Sequence, residues 1–127
     1  MAETYYVGRV LLAGDACHIN NPLGGMGMNG GLHDGNNLAA KLVSILRDGE
    51  AHIPLFDQYN RQRRDLAVRF VQEHTIANKK LMEATDTDTQ VARQKMLMET
   101  AADPVKAKAF LLERAMINCV RDSEAVA

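Results

Sequence analysis

The sequence predicts a mainly α-helical protein: one or two short N-terminal strands and a glycine-rich loop, followed by about four helices. Three observations carry that expectation. Aromatic residues make up only 5% of the 127 positions and Trp is absent, whereas there are 7 Met, so the core is expected from Leu, Val, Ala and adaptable thioethers. From about Asn29 onward apolar residues recur at helical spacing. Only residues 4–13 read as extended chain.

Length and charge narrow the class. The chain allows one domain, and 15 Lys and Arg against 16 Asp and Glu fit neither a two-domain enzyme nor a basic nucleic-acid binder. A chain of this size buries roughly two thirds of its unfolded surface, too little to enclose a large cofactor on every side. Cys17 and Cys119 stand far apart, at neither metal nor redox spacing, and read as reduced thiols. No apolar run reaches the roughly 20 residues that span a bilayer, and the start lacks a basic segment followed by an apolar one. A cytoplasmic protein is expected.

Taken in order, Val10, Leu11, Leu12 and Ala13 form a short apolar run that Gly14 and Asp15 end, which predicts a strand buried on both faces. Such a strand needs neighbours, and only residues 4–9 offer one. A glycine-rich loop follows, leading into a helix from about Asn29 with Leu32, Leu38, Leu42, Val43 and Leu46 as its apolar stripe and Gly49 as its stop. Pro54 suits the first turn of a second helix. Leu55, Tyr59, Leu66, Phe70, Ala77 and Leu81 lie on one side of it. Thr87 with Gln90 matches a capping box for a third helix to about Thr100. Asp103 and Pro104 open a fourth, with Val105, Ala109, Leu112 and Met116 as its seam and a frayed polar tail from Arg121. Residues 1–49 thus carry the strand, loop and first helix, and residues 50–127 form a helical region.

The loop holds the chemistry. Gly25, Gly27 and Gly30 satisfy G-x-G-x-x-G, but the strand ends about ten residues earlier and only helices follow, so a pyrophosphate site of the dinucleotide-binding type is excluded. The underlying physics remains: glycines allow close approach, and a helix N-terminus offers unpaired N–H groups and a positive dipole end. An electron-rich group should dock there.

Read together, residues 8–18, residues 22–31, then Asp34, Asn37, Leu38 and Ala39, resemble the second flavin-binding segment of FAD-dependent monooxygenases, in the subgroup of aromatic hydroxylases similar to para-hydroxybenzoate hydroxylase. The shared pattern is a strand, G-D-A-A-H, P-x-G-x-G-x-N, and a helix bearing D-A-x-N-L-A. The resemblance covers about residues 7–43, and residues 59–64 look like the stretch that follows in many members. It implies a fragment of an α/β, Rossmann-like FAD-binding monooxygenase fold, corresponding to the C-terminal third of such an enzyme. Met1 then reads as an internal start or an expression boundary.

Residue by residue, the resemblance implies that Asp15 accepts hydrogen bonds from the ribityl hydroxyls of FAD. The Pro22 carbonyl, the catalytic position, lines the isoalloxazine where oxygen reacts. Gly24, Gly25 and Gly27 let backbone lie against the ring, and the N–H groups of Met28 and Asn29 face its C2 carbonyl and N1 edge. In the family, NAD(P)H reduces the flavin and an aromatic or similarly electron-rich substrate is hydroxylated. Cys17, Asn21 and Gly35 depart from the family pattern at positions where Ala, Pro and Ala are commoner.

Other readings stand beside these. His18, His33 and Asp34 match no standard metal-ligand spacing, so no metal is expected, and exposed loop histidines are ordinary. Cys17 reads as a small buried residue rather than a nucleophile. Arg61, Arg63, Arg64 and Arg69, diluted by Asp57, Asp65 and Glu73, read as a solvated face with no nucleic-acid partner. Two alternatives to a flavin site are a helical module that self-associates into a homo-oligomer through exposed apolar faces and an anion site without redox chemistry.

Overall fold

The structure is a computed structural model and describes residues 1–19, 22, 25–84 and 86–126, with the side chains of residues 70–73 outside the description. Two short strands, β1 (Tyr6–Val7) and β2 (Val10–Leu11), pair antiparallel with Val7 opposite Val10. Gly8, at φ +59, takes the first position of their two-residue turn, as this hairpin class requires. A single 3-10 turn over Gly14–Ala16 follows. The described residues further contain six helices: α1 (Met26–Asp48), α2 (His52–Leu66), α3 (Glu73–Glu83), α4 (Thr87–Ala102), α5 (Pro104–Arg114) and α6 (Ile117–Glu124). No helix among the described residues is long and apolar enough to cross a membrane.

The expected strand at residues 10–13 is shorter and more open than its composition suggests. Only Val10 and Leu11 pair, Val10 is 67% exposed and Ala13 is exposed, because one hairpin partner covers one edge and leaves both faces without a full sheet. The hairpin is fastened instead to α2. The Tyr59 hydroxyl donates to the Leu12 carbonyl (2.7 Å), and Asn60 Oδ1 accepts from the Tyr5 amide (2.8 Å).

The core lies between this segment and the helices. Tyr5, Cys17, Tyr59 and Ala67 form one cluster, with Leu11, Leu12 and Leu38 against it. Met26, Leu66, Met116 and Cys119 form the other. The thioethers appear as expected, but two tyrosines, both 0% exposed, occupy the centre of the first cluster. Few rings suffice when each is placed at the crossing of hairpin and helix. Both cysteines are buried and unpaired, and burial pushes each thiol up to about 12.

Helix α1 has the expected end, where Gly49 at φ +75 caps it in the left-handed region, and Leu38 and Leu42 of the expected stripe are half-buried, but the rest of its inward face differs. Its buried residues are Met26, Gly30, Asp34 and Lys41, whereas Leu32, Val43 and Leu46 of the apolar stripe are 65%, 46% and 82% exposed. The difference has a physical cause. Helix α2 meets α1 with Gln62 and Arg63, so polar partners satisfy the polar face: Lys41 Nζ donates to Gln62 Oε1 (2.8 Å) and Asn37 Oδ1 (2.9 Å).

The long second helix is continuous from His52 to Glu83 but contains a π-helical segment, Ala67–Gln72. Its wider turn shifts the inward register. Tyr59 and Leu66 are buried as the spacing predicts, but beyond the segment Thr75 is buried while Ala77 is exposed. Phe70 lies outside the described side chains.

The N-cap of α4 is Asp86, whose carboxylate accepts from the Thr89 amide (2.8 Å), rather than the expected Thr87. An aspartate one residue earlier reaches the same orphan amides. Asp103 caps α5 as expected. The fourth helix does not run on: Met116 adopts φ +62, α6 begins after it, and the tail is helical to Glu124 with Cys119 and Ser123 buried. The Gln62 amide donating to the Val126 carbonyl (2.7 Å) ties that tail to α2. Of the proposed seam, Met116 is buried, Leu112 half-buried, and Val105 is 78% exposed.

Candidate flavin site

The first turn of α1 is the centre of the site. Gly25 is its N-cap at φ +66, a conformation that favours glycine, and a Cβ there would meet nothing within 4 Å. The helix starts at Met26, three residues earlier than its apolar pattern suggests. By helix geometry the amides of Met26, Gly27 and Met28 precede the first intrahelical bond, and that of Asn29 is the first taken up, by the Gly25 carbonyl. The Gly25 amide donates to the Pro22 carbonyl (3.1 Å). No acidic side chain occupies the first turn, so the helix does not neutralise its own positive dipole end.

Asp15 lies in the 3-10 turn and is exposed. That turn sits directly on α1: Gly14 is at φ +63, and a Cβ on Gly31 would come within 3.3 Å of the Gly14 Cα. Gly31 is five residues beyond Met26, so the Asp15 turn lies about 7.5 Å along the axis from the helix start. The structure therefore places Pro22, Gly25, Gly27, Met28 and Asn29 at the start of α1 and the turn that carries Asp15 alongside the second and third turns of the same helix. Pro22, Met28 and Asn29 are exposed and Gly27 is half-buried. Gly24 and Asn21 lie outside the described residues.

Beneath the site is a buried cluster that spacing alone did not reveal. Asp34 is 0% exposed and accepts three bonds: from the Gly14 amide (3.0 Å), from His18 Nε2 (2.6 Å) and from Arg63 Nε (2.7 Å). His18 is 4% and Arg63 3% exposed, so neither is the solvated group its surroundings in the sequence suggest. Burial alone would raise the Asp34 carboxyl. The His18 and Arg63 hydrogen bonds and the Arg63 charge outweigh that and hold it below the ordinary range. The hydrogen bond to Asp34 raises His18 against the opposing effect of burial. Arg61 and Arg69, by contrast, are exposed as expected.

Does this arrangement suit FAD? The donor set fits. Free amides at a helix N-terminus complement the electron-rich edge of a flavin ring, the open backbone at Gly25 admits a planar group, and an exposed carboxylate at Asp15 supplies the acceptor that sugar-alcohol hydroxyls need.

A G-D turn packed on a glycine-capped helix is an arrangement that suits the class of flavin-binding proteins. Comparison with known proteins gives the family. Residues 1–74 match the family model described as FAD binding domain, and the chain belongs to that family, whose cofactor is FAD. The para-nitrophenol 4-monooxygenase of Pseudomonas sp. (strain WBC-3) is 34% identical over 117 residues, covering 92% of this chain and 29% of the relative. The rifampicin monooxygenase of Streptomyces venezuelae is 38% identical over 120 residues, covering 94% of this chain and 24% of the relative. The crystal structure of the p-nitrophenol 4-monooxygenase of Pseudomonas putida DLL-E4 superposes with a TM-score of 0.80 at 30% identity, over 88% of this chain and 29% of that one. The fold is thus that of part of a flavin monooxygenase, and the chain spans less than a third of the length of these relatives.

Proposed function

We propose that this chain is the flavin-binding portion of an FAD-dependent monooxygenase that hydroxylates an aromatic or similarly electron-rich small molecule with NAD(P)H and oxygen. The observation that carries the reading is the amide-lined start of α1, free of acidic side chains and adjoined by the exposed Asp15. Bound FAD supplies the redox and oxygen chemistry, with one oxygen atom entering the substrate and the other leaving as water at the expense of two electrons from NAD(P)H.

The chain's own residues position and stabilise. Asp15 binds the ribityl hydroxyls. The free amide of Met28 faces the pyrimidine edge of the ring, beside the Asn29 peptide whose N–H already serves the Gly25 carbonyl, and the preorganised helix terminus favours the negative charge of the reduced state. Gly24, Gly25 and Gly27 keep side chains out of the ring's way, and Pro22 lines the reacting side. The two unpaired cysteines suit a cytoplasmic setting. Alone, the chain is expected to hold the cofactor weakly and to be catalytically silent, because nothing in it reads as a site for the ADP half or the nicotinamide. Flavin titration tests this: weak FAD binding that Asp15→Ala abolishes is expected, and binding indifferent to Asp15 contradicts it.

A second reading rests on a different observation. Val91, Met98, Val105 and Leu111 on α4 and α5 are 58%, 66%, 78% and 63% exposed, apolar side chains of the kind that self-association covers. Sedimentation of a concentration-dependent dimer would favour it, and a clean monomer would count against it.

A further inference from the structure

Asp34 touches no cofactor in the arrangement above, yet it is fully buried with both of its oxygens bonded. We propose that Asp34 is a positioning residue for the cofactor site: its carboxylate fixes the Gly14–Ala16 turn, and Asp15 with it, against α1 and α2. The proposal rests on the flavin-site reading and adds the device that holds that site in shape.

The geometry supplies three attachments from three parts of the chain. Oδ2 takes the Gly14 amide, which belongs to the turn carrying Asp15, and His18 Nε2, which stands where the glycine-rich loop begins. Oδ1 takes Arg63 Nε from α2, and Arg63 reaches further to the Gly30 carbonyl (3.4 Å) on α1. One carboxylate therefore sets the turn before Asp15, the stem of the loop and the spacing of two helices. The fit is tight on every side. A Cβ on Gly30 would meet His18 Cε1 at 3.4 Å, and one on Gly31 would come within 3.3 Å of the Gly14 Cα, closer than an ordinary van der Waals contact.

Charge makes the role specific to a carboxylate. Asp34 and Arg63 balance one another in a buried place where either alone would be costly. The groups facing His18 are Asp34 from α1, Arg63 from α2, and Tyr5 and Cys17 from the N-terminal segment. Burial raises Tyr5 and takes Cys17 to about 12, whereas the hydrogen bond to Asp34 raises His18 against the opposing effect of burial. Among the described residues its Nδ1 has no side-chain hydrogen-bond partner, and Asp34 holds the ring through Nε2.

The test compares the 127-residue chain with Asp34→Asn, which keeps the shape and removes the charge. Three expected results support the proposal: the Gly14 amide exchanges at least tenfold faster, FAD fluorescence quenching reports at least tenfold weaker binding, and the His18 ring titrates at lower pH by NMR. Unchanged Gly14 protection and unchanged FAD affinity overturn it. Should Asp34→Asn not fold, His18→Leu removes one attachment and leaves the Arg63 pair intact. FAD binding at least threefold weaker with unaltered helix content supports the proposal, and unaltered binding overturns it. A wild-type chain that takes up no FAD overturns the cofactor reading itself. The exchange arm then decides alone, and Gly14 protection that does not depend on Asp34 overturns the positioning role.

Discussion

In the segment that carries the site, side chains fasten each turn to a helix: Tyr59 and Asn60 hold the hairpin, and Asp34 holds the G-D turn. Helices α4 and α5 show the opposite construction. Neither contains a buried residue, and both are held by their caps, by their contact with each other and by surface contacts such as Arg114 stacked 5.3 Å over Phe110. The difference teaches where this chain places its rigidity. Buried attachments are concentrated around the proposed cofactor cradle, where an error of an ångström would cost affinity, and are thin in α4 and α5.

That contrast can be broken most forcefully at Arg63. Arg63→Ala leaves the Asp34 carboxylate buried without its cation and is expected to lower stability by about 3–5 kcal/mol in urea denaturation. The same pair makes stability depend on pH in a definite direction. Asp34 is lowered in the fold, so its contribution is complete above about 3.9 and is lost as pH falls through its depressed value. His18 is raised, so its contribution is complete below about 6.5 and is lost as pH rises through its raised value. Urea midpoints should therefore be highest between about pH 4 and 6.5 and fall on either side. A flat profile would remove the pair from the stability of this region.

Smaller effects sharpen the comparison. Asp103→Ala removes the side chain that accepts from the Val105 and Lys106 amides and is expected to cost about 1 kcal/mol. The loss should be local, with amide exchange rising in α5 while α1 and α2 keep their protection. Smallest of all, Gly35 sits exposed within α1 with open space around its would-be Cβ, so Gly35→Ala should raise stability by about 0.5–1 kcal/mol. Thermal melting checks it.

Local punctuation was legible in the sequence. Gly49, Asp103 with Pro104, and the Gly14–Asp15 turn stand where their residue types place them, because caps and turns depend on neighbours within a few positions. The order of the glycine loop and the helix after it also identified the flavin family. What depended on distant partners was not legible. The inward face of α1 is polar because α2 brings Arg63 and Gln62 to it, and no periodicity announces a partner nearly thirty residues away. The register of the long helix was lost at its π-helical segment, since one wider turn breaks a count that is correct up to Leu66. Arg63 was hidden in a run of arginines, of which Arg61 and Arg69 are exposed and Arg64 is half-buried. The aspartate of the family pattern at position 34 was its only available signal, because a lone carboxylate on a buried face requires a cation.

The cofactor cradle is tested most directly by recording amide shifts of the isotope-labelled chain while FAD is added. The expected result is that the largest shifts fall on Asp15 and on Gly25 to Asn29, with α4 and α5 unmoved. Shifts confined to α4 and α5, or silence at the start of α1, would contradict it.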